Sequence, residues 1–145
     1  MSNPTPWGDV VDRLAPALNY WLGTTRPDGS PHAAPVWGVV VNDVLYLYSE
    51  RSTVKARNVA ADPRAVVHLE SGSDVVIVHG TLEDCGRPQD LPEVVTALDE
   101  KYGADADPDD LPSGNPAFDV LYAFAPVSAM TWSLSDYEAT QRRWP

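Results

Sequence analysis

The amino-acid sequence predicts a mainly β protein in which about six antiparallel strands, with short flanking helices, form a barrel or a sandwich. Short segments rich in aromatic and β-branched residues alternate with turn signals, and most are close enough to be joined as hairpins. The sequence contains no internal repeat and no Gly-rich βαβ fingerprint, which argues against a Rossmann nucleotide site. Its 145 residues suit a single domain over residues 1–145, with enough chain to bury a hydrophobic core.

The composition limits the classes of partner and compartment. A formal net charge of −11 argues against nucleic acid and anionic membranes as partners, because both attract cationic surfaces. No apolar run approaches the roughly 18 residues of a membrane span, and the N-terminal segment lacks the apolar stretch of a signal peptide. The single cysteine, Cys85, cannot form an internal disulfide, which fits a reducing compartment and leaves no cysteine-based zinc site. We therefore expect a cytoplasmic protein with no nucleic-acid, membrane or metal partner.

The chain is expected to begin with a short arm and a helix. Residues 1–8 are Pro-rich and are predicted to form a flexible arm. Apolar residues recur at helical spacing over Asp9–Leu18. Pro16 lies inside that stretch, so the helix should end near Leu14 or Ala15.

A β-hairpin follows this helix. Tyr20–Thr25 is rich in aromatic and β-branched residues, and Arg26–Ser30 carries the Pro, Asp and Gly that a tight turn prefers. The returning strand is predicted over Pro31–Val41, and its apolar second half indicates burial on both faces. Pro31 and Pro35 cannot donate to a ladder, so the first half should lie at a sheet edge or carry a bulge.

The centre of the chain is predicted to add a strand, a short helix and a second hairpin. Ser52 is the expected N-cap of the helix, and Asp62-Pro63 ends it. The predicted elements are a strand over Leu45–Ser49, a helix over Ser52–Ala61, and strands over Ala65–Leu69 and Val75–Leu82.

The last third of the chain is predicted to contain a helix, a loop and the final strands. Apolar residues at helical spacing predict a helix over Leu91–Tyr102. Residues 103–116 are acidic and rich in Pro and Gly, which indicates a solvated loop that serves as a lid or as a simple connection. Strand signals return over Val120–Phe124 and Val127–Trp132, with Pro126 between them.

A candidate anion site lies where a predicted strand runs directly into a helix. The first N–H groups of a helix lack partners, and together with the helix dipole they attract phosphate. Ser49, Ser52 and Thr53 add hydroxyl donors at this point. Lys55 lies in the first turn, and Arg51, four residues earlier, can approach from the same side.

The same segment concentrates the positive charge of an acidic chain. Four of its 10 basic residues fall close together: Arg51, Lys55, Arg57 and Arg64. Arg57 should point away from Lys55, because residues two apart lie on different helix faces. The alternative to an anion site is a solvated basic helix with salt bridges to Glu50 and Asp62.

A second candidate is the segment His32–Gly38, where two prolines and a glycine beside an aromatic residue let a flat ligand approach the backbone. The alternative is a barrel bulge with a packed Trp37. His68 and His79 lie on neighbouring predicted strands and can face each other, but no carboxylate accompanies them at fixed spacing.

The chain from about Asn19 to its C-terminus resembles the pyridoxamine-phosphate-oxidase-like flavin-binding split-barrel superfamily. It is most similar to the actinobacterial branch of flavin/deazaflavin oxidoreductases that use coenzyme F-420. The segments that carry the resemblance are Thr24–His32, Pro35–Gly38, Lys55–Ala60, Asp62–Arg64, Val67–Gly72, Trp132 and Thr140–Trp144.

The resemblance implies a six-stranded antiparallel split β-barrel and a homodimer with two equivalent cofactor sites in clefts at the subunit interface. The strand at Pro35, Val36 and Trp37 would lie along the tricyclic ring, and Trp132 and Arg143 would reach across from the partner subunit. The cofactor phosphate would be held by the strand-to-helix segment, namely by Ser49, Arg51, Ser52, Thr53, Lys55, Arg57 and Asn58.

The implied function is an oxidoreductase that transfers hydride between coenzyme F-420 and a small organic substrate. An FMN-dependent enzyme of the same fold is one alternative, and a non-catalytic flavin-, deazaflavin- or tetrapyrrole-binding protein is another. Hydride transfer needs no dedicated acid–base residue, because the cofactor carries the redox chemistry. Tyr46, Tyr48 and His32 are candidate proton donors at the cleft.

Overall fold

The structure, a computed structural model, describes residues 3–145 and contains nine strands and four α-helices within that range. The elements in chain order are β1 (Asn3–Pro4), α1 (Trp7–Leu14), β2 (Tyr20–Thr25), β3 (Pro31–Val36), β4 (Gly38–Val41), β5 (Val44–Ser49), α2 (Val54–Ala61), β6 (Arg64–His68), β7 (Asp74–Asp84), α3 (Pro92–Tyr102), β8 (Val120–Ser133), α4 (Tyr137–Thr140) and β9 (Arg142–Trp144). Within residues 3–145, no helix combines the length and apolarity that a membrane span requires.

All nine strands belong to one sheet. The path runs β1-β9-β8-β7-β6-β2-β3, while β4 pairs with β5 and β5 pairs with β8. Every pairing is antiparallel except β1 with β9. The long strand β8 joins the β4–β5 pair to the main path of the sheet. Its first half pairs with β5, its second half pairs with β9, and β7 pairs along most of its length. The fold is mainly β, as predicted.

The predicted count of six strands is wrong for two reasons. The chain ends supply β1 and β9, which pair only with each other and with β8. The single strand predicted over Pro31–Val41 divides at Trp37 into β3, which pairs with β2, and β4, which pairs with β5. Gly38 permits the division, because a Cβ there would lie 2.5 Å from the Tyr46 carbonyl oxygen. β3 is an edge strand in this path, which confirms the expectation drawn from its prolines.

Pro126 does not interrupt the last strand. The pairing of β7 with β8 shifts register between His79 and Gly80, so that Val127 becomes an extra residue on β8. A β-bulge tolerates proline, because the ladder is already broken there. The two predicted segments are therefore one strand.

The prediction of a flexible arm over residues 1–8 is wrong for residues 3–8, and residues 1–2 lie outside the described range. β1 pairs in parallel with β9, and the Thr5 N–H donates to the Arg143 carbonyl at 3.0 Å. The helix begins at Trp7, whose ring lies 4.9 Å from the ring of Trp144. It ends at Leu14, as the position of Pro16 predicts.

The acidic loop is anchored to the body of the protein. Leu111 is 4% exposed and packs in a hydrophobic cluster beneath α3. The Tyr48 hydroxyl donates to the Asp110 carbonyl at 2.5 Å, and Ser113 donates to the Asp99 carboxylate at 2.6 Å. The loop therefore holds a defined position against β5 and α3, which the composition of residues 103–116 did not predict.

Two hydrophobic clusters form the core. The first fills the barrel and includes Val10, Leu14, Tyr20, Leu22, Leu45, Val67, Val78 and Phe124. The second lies between α3 and the sheet and contains Val39, Tyr48, Val94, Leu98, Tyr102, Leu111 and Leu121. The second cluster fixes α3 directly behind the break between β3 and β4.

Candidate functional site

A cavity of about 480 Å³ lies where β3 ends, β5 ends and α2 begins. We call it the α2 cavity. Its lining combines one ammonium group, several hydroxyl and carboxylate groups and three aromatic rings. The lining residues are Asn19, Pro35, Val36, Trp37, Tyr48, Ser49, Glu50, Thr53, Lys55, Asp110 and Phe118.

The start of α2 supplies polar groups to one end of this cavity. Thr53 caps the helix, because its Oγ1 accepts the Ala56 N–H at 3.3 Å and donates to the Glu50 carbonyl at 2.8 Å. Ser49 Oγ lies 3.2 Å from the same hydroxyl. The predicted N-cap, Ser52, is wrong, because it lies in the exposed turn before the cap. The N–H groups of Val54 and Lys55, the first two of the helix, have no acceptor within the helix and are available to an anion.

Lys55 is a half-buried cation without a carboxylate partner among residues 3–145. Burial lowers the pKa of its ammonium group, and the nearby Glu50 carboxylate only partly opposes this effect. A partly desolvated charge is unfavourable unless it is paired. Lys55 therefore favours an anionic ligand in the α2 cavity.

Aromatic rings form the opposite part of the cavity. The Trp37 indole stacks on the Tyr102 ring with centroids 4.4 Å apart and planes 3° apart, and its Nε1 donates to Asn19 Oδ1 at 3.1 Å. Tyr48 and Phe118 meet edge to face at 4.9 Å. The cavity thus has a cationic, hydroxyl-rich end and an aromatic wall, which suits a planar ring that carries an anionic group.

Six residues that the sequence singled out come together in this cavity, from two separate stretches of chain. They are Pro35, Val36, Trp37, Ser49, Thr53 and Lys55. The sequence did not assign Asn19, Glu50, Asp110 or Phe118 to the site. Asp110 and Phe118 belong to the loop that folds back over β5, and no local pattern indicates that contact. Of the three candidate proton donors, only Tyr48 lines the cavity, and burial raises the pKa of its hydroxyl.

Arg51 does not approach Lys55, contrary to the expectation from their spacing. Its guanidinium binds Asp84 through two hydrogen bonds of 2.6 and 3.0 Å, and its backbone N–H donates to Asp119. Arg51 and Arg57 line a different cavity of about 520 Å³, together with Asp84 and Tyr122. The basic cluster is thus divided between two surfaces, and Lys55 is the member that the α2 cavity receives.

Asn58 and Arg64 have structural contacts. The Asn58 side chain is buried and donates to Thr24 Oγ1 at 3.1 Å, which ties α2 to β2. Arg64 forms an ion pair with Asp62 and lies outside the α2 cavity. The structure therefore places Asn58 behind the helix, away from the cavity.

One face of the sheet formed by β3, β2, β6, β7 and β8 points away from the barrel interior. We call it the outer sheet face. The register places on it the following residues: Ala33, Trp21, Gly23, Val66, His68, Ile77, His79, Met130 and Trp132. Arg143 pairs with Met130 and shares this face. Met130 and Val127 are exposed there, 39% and 63% respectively, so the face presents apolar surface to solvent.

The outer sheet face carries a cavity of about 930 Å³ that all three histidines line. His68 and His79 do not lie directly opposite each other, because their partners in the ladder are Ile77 and Val66. The His68 ring is parallel to the Trp21 ring at 6.3 Å. Over residues 3–145, no three His, Cys, Asp or Glu side chains are grouped so as to hold a metal ion.

This combination of a single, mainly antiparallel sheet, short flanking helices and a cavity at a strand-to-helix junction is a split β-barrel. The chain belongs to the pyridoxamine 5'-phosphate oxidase family, whose model matches residues 10–126. No curated protein matches the chain significantly.

Solved structures share the fold at low sequence identity. A conserved hypothetical protein from Mycobacterium tuberculosis aligns with a TM-score of 0.74 and 22% identity, over 91% of this chain and 87% of that one. An F420 reductase aligns with a TM-score of 0.65 and 22% identity, over 87% of this chain and 97% of that one. A heme-binding protein from Mycobacterium smegmatis aligns with a TM-score of 0.65 and 18% identity, over 90% of this chain and 55% of that one.

Proposed function

We propose that the α2 cavity binds the phosphate and the ring of a flavin-type cofactor, and that the protein is an oxidoreductase. The observation that carries the proposal is the half-buried Lys55 ammonium, which has no carboxylate partner within the described residues 3–145 and lies at the start of α2. The cofactor phosphate would meet this ammonium, the N–H groups of Val54 and Lys55 and the hydroxyl of Ser49, while the Thr53 hydroxyl caps the helix beside them.

The ring would lie against β3 and the Trp37 indole. Pro35 lies on the edge strand, so its backbone offers an open surface, and the parallel stack with Tyr102 fixes the indole plane. These residues would hold the ring so that one face stays open to substrate. The bound cofactor would supply a hydride to a small organic substrate or accept one from it.

The three candidate proton donors that the sequence suggested are poorly suited to supply a proton at this point. The Tyr48 hydroxyl is engaged with the Asp110 carbonyl, and burial raises its pKa, so it holds its proton at neutral pH. His32 lines the cavity of the outer sheet face, and Tyr46 does not line the α2 cavity. None of these three residues is therefore the proton donor we favour, and the other sources at the cavity are solvent and the carboxyl groups of Glu50 and Asp110.

Coenzyme F-420 is the cofactor we favour. Its support is the fold shared with an F420 reductase over 97% of that chain. FMN is the alternative that the family suggests, and the fold shared with a heme-binding protein supports testing a tetrapyrrole as well.

We further propose that the outer sheet face is the contact surface of a homodimer. It presents an apolar area, and burial of such area is the main driving force of association. Pro35 lines the α2 cavity and pairs with Trp21 of the outer sheet face, so the cavity adjoins that surface. Trp132 and Arg143 lie on the same face, which fits their expected role of reaching across to a partner subunit.

A binding titration tests the proposal. The purified protein is titrated separately with F-420, FMN and heme, and light scattering measures its mass. We expect F-420 or FMN to bind at micromolar concentration to a dimer, and the reduced cofactor to be consumed when an acceptor is added. Failure of both cofactors at tens of micromolar would refute the flavin site. Binding without turnover over a broad acceptor panel would favour the non-catalytic alternative.

A further inference from the structure

We propose that Tyr102 and Lys101, in the last turn of α3, are positioning residues for the cofactor site, because they fix the Trp37–Gly38 segment and the plane of the Trp37 indole. This inference rests on the proposed function, since the indole is the surface against which the ring would lie. Neither residue lines the α2 cavity, so both would act through Trp37.

The backbone around Trp37 needs support that the sheet does not provide. Trp37 lies between β3 and β4, where the chain leaves one ladder partner and joins another. A residue at such a break has no strand neighbours that hold it in the sheet, so its orientation depends on other contacts.

Side chains of α3 bind both polar groups of the Gly38 backbone. The Gly38 N–H donates to the Tyr102 hydroxyl at 3.2 Å, and that hydroxyl donates to the Leu18 carbonyl at 2.7 Å. The Lys101 ammonium donates to the Gly38 carbonyl at 2.9 Å and to the Tyr20 hydroxyl at 2.9 Å. The Gly38 backbone, directly after Trp37, is therefore fixed by hydrogen bonds with two side chains of α3.

The Tyr102 ring holds the indole itself. The two rings are 4.4 Å apart and 3° from parallel, and the Trp37 Nε1 donates to Asn19 at the other edge. Tyr102 is 6% exposed and packs in the cluster beneath α3, so its ring is a fixed support. One residue thus contacts both the indole face and the backbone next to it.

A partly buried ammonium group such as that of Lys101 costs free energy of folding, and a purely structural role would not require it. Its ammonium lies 4.8 Å from the centre of the Tyr20 ring and 5.2 Å from that of Tyr102, and it forms no ion pair among residues 3–145. Burial lowers its pKa to about 8, because a partly desolvated site disfavours the charged form. An apolar side chain would avoid that cost, so the three donors of the ammonium group favour a role in fixing the Gly38 carbonyl.

The test compares Tyr102→Phe and Lys101→Met with Val94→Ala. Phenylalanine keeps the stacked ring and removes the hydroxyl, and methionine keeps an apolar stem and removes the ammonium. Val94 lies in the same cluster and is buried, but it has no hydrogen bond to Gly38. Its truncation should therefore loosen α3 and leave the hydrogen bonds of Tyr102 and Lys101 with Gly38 intact.

Two measurements are made on the full chain. The first is the dissociation constant of FMN and of F-420, together with the thermal midpoint. The second is the near-UV circular dichroism and acrylamide quenching of Trp37, obtained by subtracting the Trp37→Phe spectrum. The second measurement requires no ligand.

We expect Tyr102→Phe and Lys101→Met each to weaken cofactor binding about three- to tenfold, because each loses its hydrogen bond to Gly38, and to increase the quenching of Trp37. Val94→Ala should lower the thermal midpoint and leave both quantities close to wild type. If the wild type binds a cofactor, and Tyr102→Phe and Lys101→Met match it in cofactor affinity and in the quenching of Trp37, the positioning role is refuted. If the wild type binds neither cofactor, the proposed function fails, and the Trp37 signal alone decides whether α3 orients the indole.

Discussion

Replacement of Lys55 by methionine tests the anion site most directly, because methionine keeps most of the side-chain volume and removes the charged ammonium group with its hydrogen-bond donors. Lys55 lies in the first turn of α2 and lines the cavity together with Ser49 and Thr53, whose hydroxyl oxygens are 3.2 Å apart. A hydrogen bond to a charged group contributes about 1.5–3 kcal/mol, so Lys55→Met should weaken cofactor binding roughly 10- to 150-fold.

The stability of the protein without cofactor should change in the opposite direction. Burial lowers the pKa of Lys55 below that of an unfolded lysine, so the folded state binds this proton more weakly. At neutral pH the protonated side chain therefore opposes folding slightly, and the opposition is relieved only as pH rises through the folded-state pKa. Lys55→Met should leave the thermal midpoint equal or raise it, while it weakens binding.

Arg57→Met is the matched control. It removes the same unit of charge from the same helix, but Arg57 lies in the other cavity. Calorimetric titration of FMN and F-420 and thermal denaturation are measured for both variants and the wild type. An equal loss of affinity in the two variants would mean that Lys55 acts only through the general charge of the helix. A large drop in the midpoint of Lys55→Met would contradict the inference that its charge is unpaired.

Three further predictions concern the fold, a buried charge and the interface. Gly80→Ala should destabilise the protein by about 1–3 kcal/mol in urea titrations, because the new Cβ would lie 2.2 Å from a carbonyl oxygen of β8, whereas Gly72→Ala meets no atom within 4 Å and should be nearly neutral. Lys101 has its pKa lowered to about 8 from 10.5, so the wild type should gain stability relative to Lys101→Met as pH rises from about 8 to about 10.5, and a constant difference would refute that shift. Val127→Asp places a charge on the outer sheet face and should yield monomers by light scattering, while Ala117→Asp, at an exposed position just after the acidic loop, should not; if both variants stay dimeric, another surface forms the dimer.

Local chemistry predicted the elements whose causes lie within a few residues. The strand over Tyr20–Thr25 matches β2 residue for residue, and the turn that follows is stabilised as its composition indicates. Asp28 Oδ1 accepts the Ser30 N–H at 2.9 Å, and Gly29 adopts a φ of 87° that favours glycine. The helix predicted over Leu91–Tyr102 begins one residue later, at Pro92.

Features that depend on distant partners could not be predicted. The apolar run around Trp37 is equally compatible with one long strand or with two strands that pair differently, because hydrophobicity does not specify the ladder partner. β1 has only two residues and exists because β9 lies beside it. The same limit applied to charge: spacing placed Arg51 near Lys55, but Asp84, which is remote in sequence, binds the guanidinium.

The candidate site combines residues that the local sequence predicted with residues that only distant contacts bring into the cavity. Pro35, Trp37 and Lys55 belong to stretches whose composition indicated a ligand site, and the fold joins those stretches at the ends of β3 and β5. Asp110 and Phe118 reach the cavity through the anchored acidic loop. The loop is anchored by the buried Leu111 and by hydrogen bonds to Tyr48 and Asp99, none of which its acidic composition indicates, so the sequence suggested only solvent exposure.

The positions of the two lysines of the chain, taken together, support a functional site around Trp37. The sequence has 21 acidic residues, and three of its arginines form ion pairs with aspartates. Lys55 and Lys101 are both partly buried, both have a lowered pKa through desolvation, and neither has an ion pair among residues 3–145. One lines the cavity that Trp37 borders, and the other binds the backbone next to the indole. Unpaired, desolvated cations cost stability, and a chain so rich in carboxylates could pair them readily. Their placement on either side of one aromatic residue therefore favours a site that needs positive charge for a ligand and rigidity for a ring.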